Sequence, residues 1–208
     1  MFWIVLFYIV LFGVAHSETD NVVQSAVHVT ELGPLKVGAP IPSFNGPTSV
    51  GGRLSSRTVI GDGVVVVLSY AATWCQPCRE GVPIIERVVH SDDAVRAVYV
   101  TLDTEVVKVR KWVSDIDVQS PVIVDKFSAI AKRHGVISDD GRQAKEIPIT
   151  IVIDGQGIVS CIFTTEGADF EAKLREAVES AQRVVVPQEH DRYLNHPDRS
   201  GSQEEGKK

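Results

Sequence analysis

Two of the three cysteines in this 208-residue chain are separated by two residues, within the segment 74–78, Trp-Cys-Gln-Pro-Cys. Such a pair suits either half of a zinc site or a reversible disulfide. A zinc site needs two further cysteine or histidine ligands at comparable spacing, but Cys161 lies far along the chain and the six histidines form no closely spaced cluster. The pattern therefore favours redox chemistry at Cys75 and Cys78, without a metal.

The position of the pair between a strand pattern and a helical pattern predicts that Cys75 lies at a helix N-terminus. Unpaired backbone N–H groups and the helix dipole favour a thiolate there. Lowering a thiol pKa from about 8.5 to about 7 requires roughly 2 kcal/mol, and a helix end supplies about 0.3–1 kcal/mol of it. Arg79 and a hydrogen bond from the Cys78 thiol are expected to supply the rest. Cys75 is the predicted nucleophile, and Cys78, one turn further on, resolves the resulting mixed disulfide.

The elements that must position this pair alternate between strands and helices. Residues 64–68 are continuously apolar, which is typical of a strand buried on both faces, and residues 79–89 have helical apolar spacing. Further strands are predicted at 97–102, 121–124, 149–153 and 158–163, and further helices at 105–113, 128–134 and 169–184. Parallel units followed by an antiparallel hairpin and a covering helix predict an α/β domain with a mixed central β-sheet and helices on both faces.

Both ends of the chain are expected to lie outside this domain, which is predicted over residues 35–186. Residues 2–14 are almost entirely apolar, but this run is shorter than the roughly 20 residues that a bilayer requires. We therefore predict a secretory signal over residues 1–17, with an uncleaved N-terminal anchor as the alternative because no Lys or Arg precedes the run. Residues 18–34 are predicted to form a linker.

The C-terminal segment, residues 187–208, is predicted to be a disordered polar tail, because it has too few apolar residues to offset its ordering entropy. His190 and His196 lie in this segment without a nearby third ligand, so a solvated role is favoured over metal binding.

Composition excludes several classes of protein. A net charge of −6 argues against nucleic-acid binding, which normally requires a basic surface. Three cysteines are too few for a disulfide-stapled scaffold. No later segment is apolar and long enough to cross a bilayer, so membrane attachment is expected only if residues 1–17 remain uncleaved.

The segments around the pair resemble the thioredoxin superfamily. The resemblance rests on Trp-Cys-Gln-Pro-Cys-Arg at 74–79, on Pro83, and on Glu-Ile-Pro-Ile-Thr-Ile-Val-Ile-Asp at 146–154. Val-Gly-Ala-Pro at 37–40 and the additional segment at 105–134 are most similar to its exported TlpA/ResA-type thiol–disulfide oxidoreductases. The resemblance covers about residues 35–184 and implies a thioredoxin-like fold.

This resemblance also implies a function and a binding surface. The implied enzyme exchanges its Cys-x-x-Cys dithiol or disulfide with exported protein substrates as a reductant, for example in cytochrome c maturation or thiol repair. It uses no cofactor beyond its cysteines, and its partners are protein thiols and an upstream membrane-bound or soluble reductant. Pro148 is implied to be a cis-proline facing the pair, with Ile147 offering backbone hydrogen bonds to substrate. Trp74, Gln76 and Pro77 are expected to contact substrate, although Trp74 has an alternative interpretation as a core residue.

The chain departs from the family pattern where a proton acceptor for Cys78 is expected. Ser69 stands where thioredoxin has a buried aspartate, and a hydroxyl does not accept a proton as a carboxylate does. Gly81 stands where the exported reductases commonly have a glutamate. Glu80 is one residue earlier and about 100° around the helix, so it is a weak candidate for proton transfer and a solvated role is favoured.

Three other residues have side chains that could take part in chemistry, but each has a simpler structural interpretation. Cys161 lies in a strand pattern and is predicted to be a buried structural thiol rather than a regulatory one. Asp103 and Asp125 each follow a strand and could form a carboxylate pair, but strand-end aspartates usually cap turns.

Two other functional classes remain as alternatives. One is a thiol peroxidase, because residues 40–44 resemble peroxiredoxin-like chains. Those chains have a Thr or Ser three residues before the reactive cysteine and a proline further upstream, whereas this chain has Ala72 and no such proline. The other alternative is a binding module that kept the fold without redox turnover.

Overall fold

The computed structural model describes residues 25–138 and 146–184. The predicted signal at 1–17 and the predicted tail at 187–208, with His190 and His196, lie outside the described residues. Within the described ranges no helix is long and apolar enough to span a bilayer.

Ten strands and five helices make up the described part of the chain. The strands are β1 (His28–Val29), β2 (Glu31–Leu32), β3 (Leu35–Lys36), β4 (Asn45–Pro47), β5 (Arg53–Ser55), β6 (Val65–Ala71), β7 (Val95–Thr101), β8 (Val122–Val124), β9 (Ile149–Ile153) and β10 (Val159–Phe163). The helices are α1 (Ser56–Val59), α2 (Gln76–Val89), α3 (Val106–Asp115), α4 (Ala129–Arg133) and α5 (Phe170–Gln182).

Six strands form one mixed sheet in the order β1-β10-β9-β6-β7-β8. β6, β7 and β8 run parallel to one another, whereas β9 is antiparallel to β6 and β10 is antiparallel to β9. β6 lies inside the sheet and all seven of its residues are buried, which explains its continuous apolar sequence. The pairs β2–β3 and β4–β5 form two small separate hairpins.

Alternate side chains of β6 point into two apolar cores on opposite faces of the sheet. Val65 and Val67 pack into the core that includes the buried faces of α2, α3 and α5. Val66 and Leu68 pack into the second core, with residues of α4 and of the two small hairpins. The sheet therefore has helices on both faces, and the predicted α/β architecture is confirmed.

The observed elements differ from the predicted ones in where they begin and in several short elements that were not predicted. α2 begins at Gln76 rather than at residue 79, because Cys75 caps the helix and Pro77 is tolerated in its first turn. The hairpins β2–β3 and β4–β5 and the helix α1 were not predicted, because elements of two to four residues show no periodicity. β1 lies within the predicted linker 18–34, yet it pairs with β10, so the sheet begins before residue 35.

Candidate active site

Cys75 and Cys78 form a disulfide at the N-terminus of α2, directly after the central strand β6. Cys75 is the N-cap residue, and its Sγ accepts a hydrogen bond from the backbone N–H of Cys78 at 3.2 Å. This N–H belongs to the first turn of a helix, where it has no partner within the helix. The same contact favours a thiolate on Cys75 once the disulfide is reduced. Cys75 is 4% exposed and Cys78 is fully buried, so only Cys75 borders the surface.

The loop between β6 and Cys75 is held by an aspartate from the next strand. Asp103 follows β7 and accepts hydrogen bonds from the backbone N–H of Thr73 at 3.0 Å and from its Oγ1 at 2.6 Å. Asp125 has a different role, since it accepts hydrogen bonds from the first backbone N–H groups of α4. Asp125 therefore caps the segment that follows its strand, as the capping interpretation predicted, whereas Asp103 anchors a distant loop instead of its own turn.

The segment before β9 lies against the pair because β9 runs antiparallel to β6. The peptide bond between Ile147 and Pro148 is cis. The carbonyl oxygen of Ile147 lies 3.6 Å from the Sγ of Cys75, a position in which it can accept a hydrogen bond from the reduced thiol. The structure thus brings Ile147 and Pro148 together with the cysteines, while their contact with substrate stays a prediction.

Three predicted contact residues lie on the surface around Cys75. Trp74 is 64% exposed, so it is a surface residue and the core alternative is wrong. Gln76 and Pro77 are also exposed. An exposed indole beside a barely exposed sulfur forms an apolar contact surface for a partner that approaches the sulfur.

The structure does not support Glu80 as a buried acid, because its side chain is exposed. A different glutamate, Glu166, lies in the segment between β10 and α5 and accepts a hydrogen bond from Thr150 Oγ1 at 2.7 Å. Thr150 Oγ1 is also 3.0 Å from the hydroxyl of Ser69, the residue that replaces an acid in this chain. Burial raises the pKa of Glu166 to about 7, against the lowering effect of the Thr150 hydrogen bond.

Sequence reasoning missed Glu166 because it lies in a polar loop with no motif around it. The only signal was indirect. Gly81 occupies a helical position without a side chain, and a Cβ built there would lie 1.6 Å from Glu166 Oε2. A glycine inside a helix is unfavourable by roughly 1 kcal/mol relative to alanine, so its presence indicates that another group needs the space.

Another glutamate, Glu86 in α2, is a buried residue that is engaged in structural contacts. It accepts hydrogen bonds from the Tyr99 hydroxyl at 2.7 Å and from the backbone N–H groups of Gln119 and Ser120 at 2.8 and 3.2 Å. Burial, followed by the charge of Glu86, raises the pKa of Tyr99 well above its usual value. Glu86 therefore ties α2 to β7 and to the segment before β8.

Cys161 lies in β10 as a free, half-buried thiol, so it is less enclosed than predicted. Burial raises its pKa, which disfavours the reactive thiolate. No group of three or more His, Cys, Asp or Glu side chains in the described ranges is arranged to hold a metal ion.

A cysteine pair that caps the helix after a central strand, with an X-Pro bond against its first sulfur, defines a redox site of the thioredoxin type. The AhpC/TSA family model matches residues 37–162, more than half of the chain, and the protein belongs to this family of thioredoxin-like proteins. The recognition of the thioredoxin superfamily is thereby confirmed.

Proteins with sequences or structures similar to this chain are named as thiol–disulfide oxidoreductases or thioredoxin-like proteins. The chain is 26% identical over 127 residues to the thiol-disulfide oxidoreductase ResA of Bacillus thuringiensis subsp. konkukian, covering 60% of this chain and 68% of that protein. It is 28% identical over 146 residues to the thioredoxin-like protein YneN of Bacillus subtilis, covering 67% and 79%. A thiol:disulfide interchange protein of the thioredoxin family from Chlorobium tepidum TLS superposes with a TM-score of 0.57 at 26% identity, covering 70% of this chain and 97% of that one. The prediction of a thiol–disulfide oxidoreductase is confirmed.

Proposed function

We propose that this enzyme is exported and reduces disulfides in other exported proteins, using Cys75 and Cys78 as its only redox groups. The observation that carries the proposal is the placement of Cys75 as the N-cap of α2, in contact with the Cys78 N–H group and bordering the surface. This placement favours a thiolate at the sulfur that a substrate reaches first. The apolar segment 1–17 supports export, and its retention would leave the domain anchored to a membrane.

Protein substrates suit the surroundings of the pair better than small molecules do. Trp74 offers an exposed apolar surface next to Cys75 in the chain, and the backbone of Ile147 lies against the Cys75 sulfur. An extended polypeptide can pair with such backbone groups while its cysteine approaches Cys75.

The reaction proceeds by two exchanges that conserve atoms and electrons. The Cys75 thiolate attacks a substrate disulfide, forming a mixed disulfide and releasing one substrate thiolate, which takes up a proton. Cys78 loses its proton and attacks Cys75 Sγ, which forms the internal disulfide and releases the second substrate thiolate. Two electrons have then passed to the substrate, and the enzyme is in the oxidised state that the structure displays. An upstream protein thiol regenerates the dithiol.

Trapping tests the activity and identifies partners. In Cys78→Ser the mixed disulfide cannot be resolved, so we expect covalent complexes with exported proteins. Dithiothreitol should separate these complexes by reducing the disulfide. Cys75→Ser is the matched control and should trap little, because Cys78 is buried. Absence of trapped complexes with both variants would contradict the proposal and favour a binding module.

The reduction potential of the Cys75–Cys78 pair tests the direction of electron flow. A reductant should have a potential near that of thioredoxin, about −270 mV, whereas a value near that of DsbA, about −120 mV, would assign the enzyme as an oxidant. Peroxide consumption in the same preparation tests the peroxidase alternative. Rapid consumption of peroxide that is abolished in Cys75→Ser would support a peroxidase.

A further inference from the structure

A short hydrogen-bonded chain leads from β6 to a buried carboxyl group. The Thr150 hydroxyl on β9 donates to Glu166 Oε1 at 2.7 Å, and the Ser69 hydroxyl on β6 lies 3.0 Å from Thr150 Oγ1, where it can donate to that oxygen. The second carboxyl oxygen, Glu166 Oε2, is buried and has no hydrogen-bond partner among the described residues. A buried polar atom without a partner costs about 1–3 kcal/mol, so its retention indicates a role.

Glu166 Oε2 occupies the volume that a side chain at position 81 would fill. A Cβ on Gly81 would lie 1.6 Å from this oxygen and 2.5 Å from the carboxyl carbon, so the carboxyl fits there only because residue 81 is glycine. Gly81 is three residues after Cys78 in α2, and residues at this spacing lie on the same face of a helix, with Cβ atoms about 5–6 Å apart. The carboxyl is therefore packed against the helix face that bears the buried sulfur.

The surroundings keep this carboxyl ready to exchange a proton near neutral pH. Burial raises the pKa of Glu166 to about 7, and the hydrogen bond from Thr150 opposes this rise. Burial, the charge and hydrogen bond of Glu86, and the charge of Glu166 raise the pKa of the Tyr99 phenol on β7 well above its usual value, so this phenol lies near the carboxyl. Cys78 lies three residues before Gly81 on α2. The phenol stays neutral, which leaves Cys78, one helical turn before Gly81, as the titratable group of the active site on the helix face beside this carboxyl.

We infer that Glu166 is the proton-transfer residue for Cys78, reaching α2 from the β10–α5 segment through the space left by Gly81. The inference rests on the proposed dithiol–disulfide exchange. When the mixed disulfide forms on Cys75, the Glu166 carboxylate takes the proton of the Cys78 thiol. The Cys78 thiolate then attacks Cys75 Sγ, the substrate sulfur leaves, and Glu166 passes its proton on to solvent. Glu80, the candidate from sequence, is exposed and does not take this part.

The test separates the two exchanges in time. Reduced protein in a Cys161→Ser background is mixed with 5,5′-dithiobis(2-nitrobenzoate), so that only the pair reacts. The attack of Cys75 releases the first 2-nitro-5-thiobenzoate and the attack of Cys78 releases the second, both visible at 412 nm in stopped flow. In Glu166→Gln we expect an unchanged first phase, a second phase slowed about 100-fold at pH 7, and loss of its inflection near pH 7.

Two further variants keep the test decisive. Glu176→Gln changes an exposed glutamate of α5 and should leave both phases as in the parent. Gly81→Glu combined with Glu166→Ala returns a carboxyl to the same space from the helix, and should restore part of the second-phase rate. A second phase with the same rate and pH profile in Glu166→Gln as in the parent would overturn the inference. Loss of the first phase in the parent would instead contradict the proposed function.

Discussion

Adjacent residues at the active site differ sharply in exposure. Trp74 is 64% exposed and Cys75 is 4% exposed. A small reagent can reach the sulfur edge without touching the indole, whereas a folded or extended protein must cover the surface beside it. Trp74 should therefore contribute to recognition of protein substrates and not to the chemistry of the thiolate.

Replacing this tryptophan tests that division of roles. Trp74→Ala should lower kcat/KM for a protein disulfide about 30-fold or more, because a tryptophan buried on binding often contributes about 2 kcal/mol or more. Its rate with 5,5′-dithiobis(2-nitrobenzoate) should stay within about twofold of the parent. Since the side chain is exposed, the free energy of unfolding should change by no more than about 0.5 kcal/mol. Val107→Ala, which truncates another exposed apolar side chain, is the control and should retain both activities.

Two aspartates follow neighbouring strands but have different roles. One positions the active-site loop, and the other stabilises a helix. Asp103 holds Thr73 in the loop that leads from β6 to Cys75, whereas Asp125 caps α4 with three backbone hydrogen bonds. Asp103 lies two residues after β7, and Asp125 directly follows β8. Their contacts predict different consequences when each is removed.

The roles of the two aspartates can be compared by replacing each of them with alanine. Asp103→Ala should slow the attack of Cys75 on 5,5′-dithiobis(2-nitrobenzoate) several-fold, because the loop before the nucleophile loses its anchor. Asp125→Ala should keep the parent rate while lowering the free energy of unfolding by about 1–2 kcal/mol, as removal of a helix cap does. Equal rates in the two variants, measured by stopped flow, would show that the Asp103 contact does not position Cys75.

At the scale of the whole molecule, a buried histidine joins the central sheet to the N-terminal segment. The Nδ1 of His134 lies 2.8 Å from the Tyr70 hydroxyl, and its Nε2 lies 2.8 Å from the carbonyl oxygen of Pro42. The carbonyl can only accept, so Nε2 carries the proton and Nδ1 accepts from Tyr70 in a neutral imidazole. Burial lowers the pKa of His134 to about 4.

This lowered pKa predicts a loss of stability in acid. His134 stays neutral in the folded protein down to about pH 4, but in the unfolded chain it takes up a proton below about pH 6.5. The contribution of the neutral imidazole to the free energy of unfolding is therefore complete above pH 6.5 and is lost as the pH falls to about 4. His134→Gln keeps a donor and an acceptor without this titration. The stability advantage of the parent over the variant, from urea unfolding of the oxidised protein, should shrink by about 3 kcal/mol between pH 7.5 and 4.

The comparison with a variant is needed because Glu166 titrates in the opposite sense. Its pKa is raised in the folded protein, so its protonation stabilises the fold as pH falls, and this contribution cancels between parent and His134→Gln. His28→Gln, at an exposed position of β1, should follow the parent curve. A constant difference between the parent and His134→Gln across this range would contradict the assignment of a neutral buried imidazole.

The regular elements were predictable where the pattern was long. Residues 64–68 are a continuous apolar run, and residues 149–153 are apolar except for Thr150. These segments match β6 and β9, and the apolar spacing at 169–184 matches α5. The short hairpins and α1 could not be predicted, because elements of two to four residues are too short to show a periodicity. The pairing of β1 with β10 joins residues more than 130 positions apart, which no local pattern reports.

The sequence by itself determined the chemistry, because a Cys-x-x-Cys pair after a buried strand places one sulfur at a helix N-terminus through local geometry alone. It also determined the alternation of strands and helices, and so the class of fold. Only the tertiary structure decided which acid accompanies the buried sulfur. Glu80 is adjacent in sequence but its side chain is exposed, whereas Glu166 comes from the segment between β10 and α5 and occupies the space beside Gly81. Proton transfer depends on distance in space and on burial, and neither follows from distance along the chain.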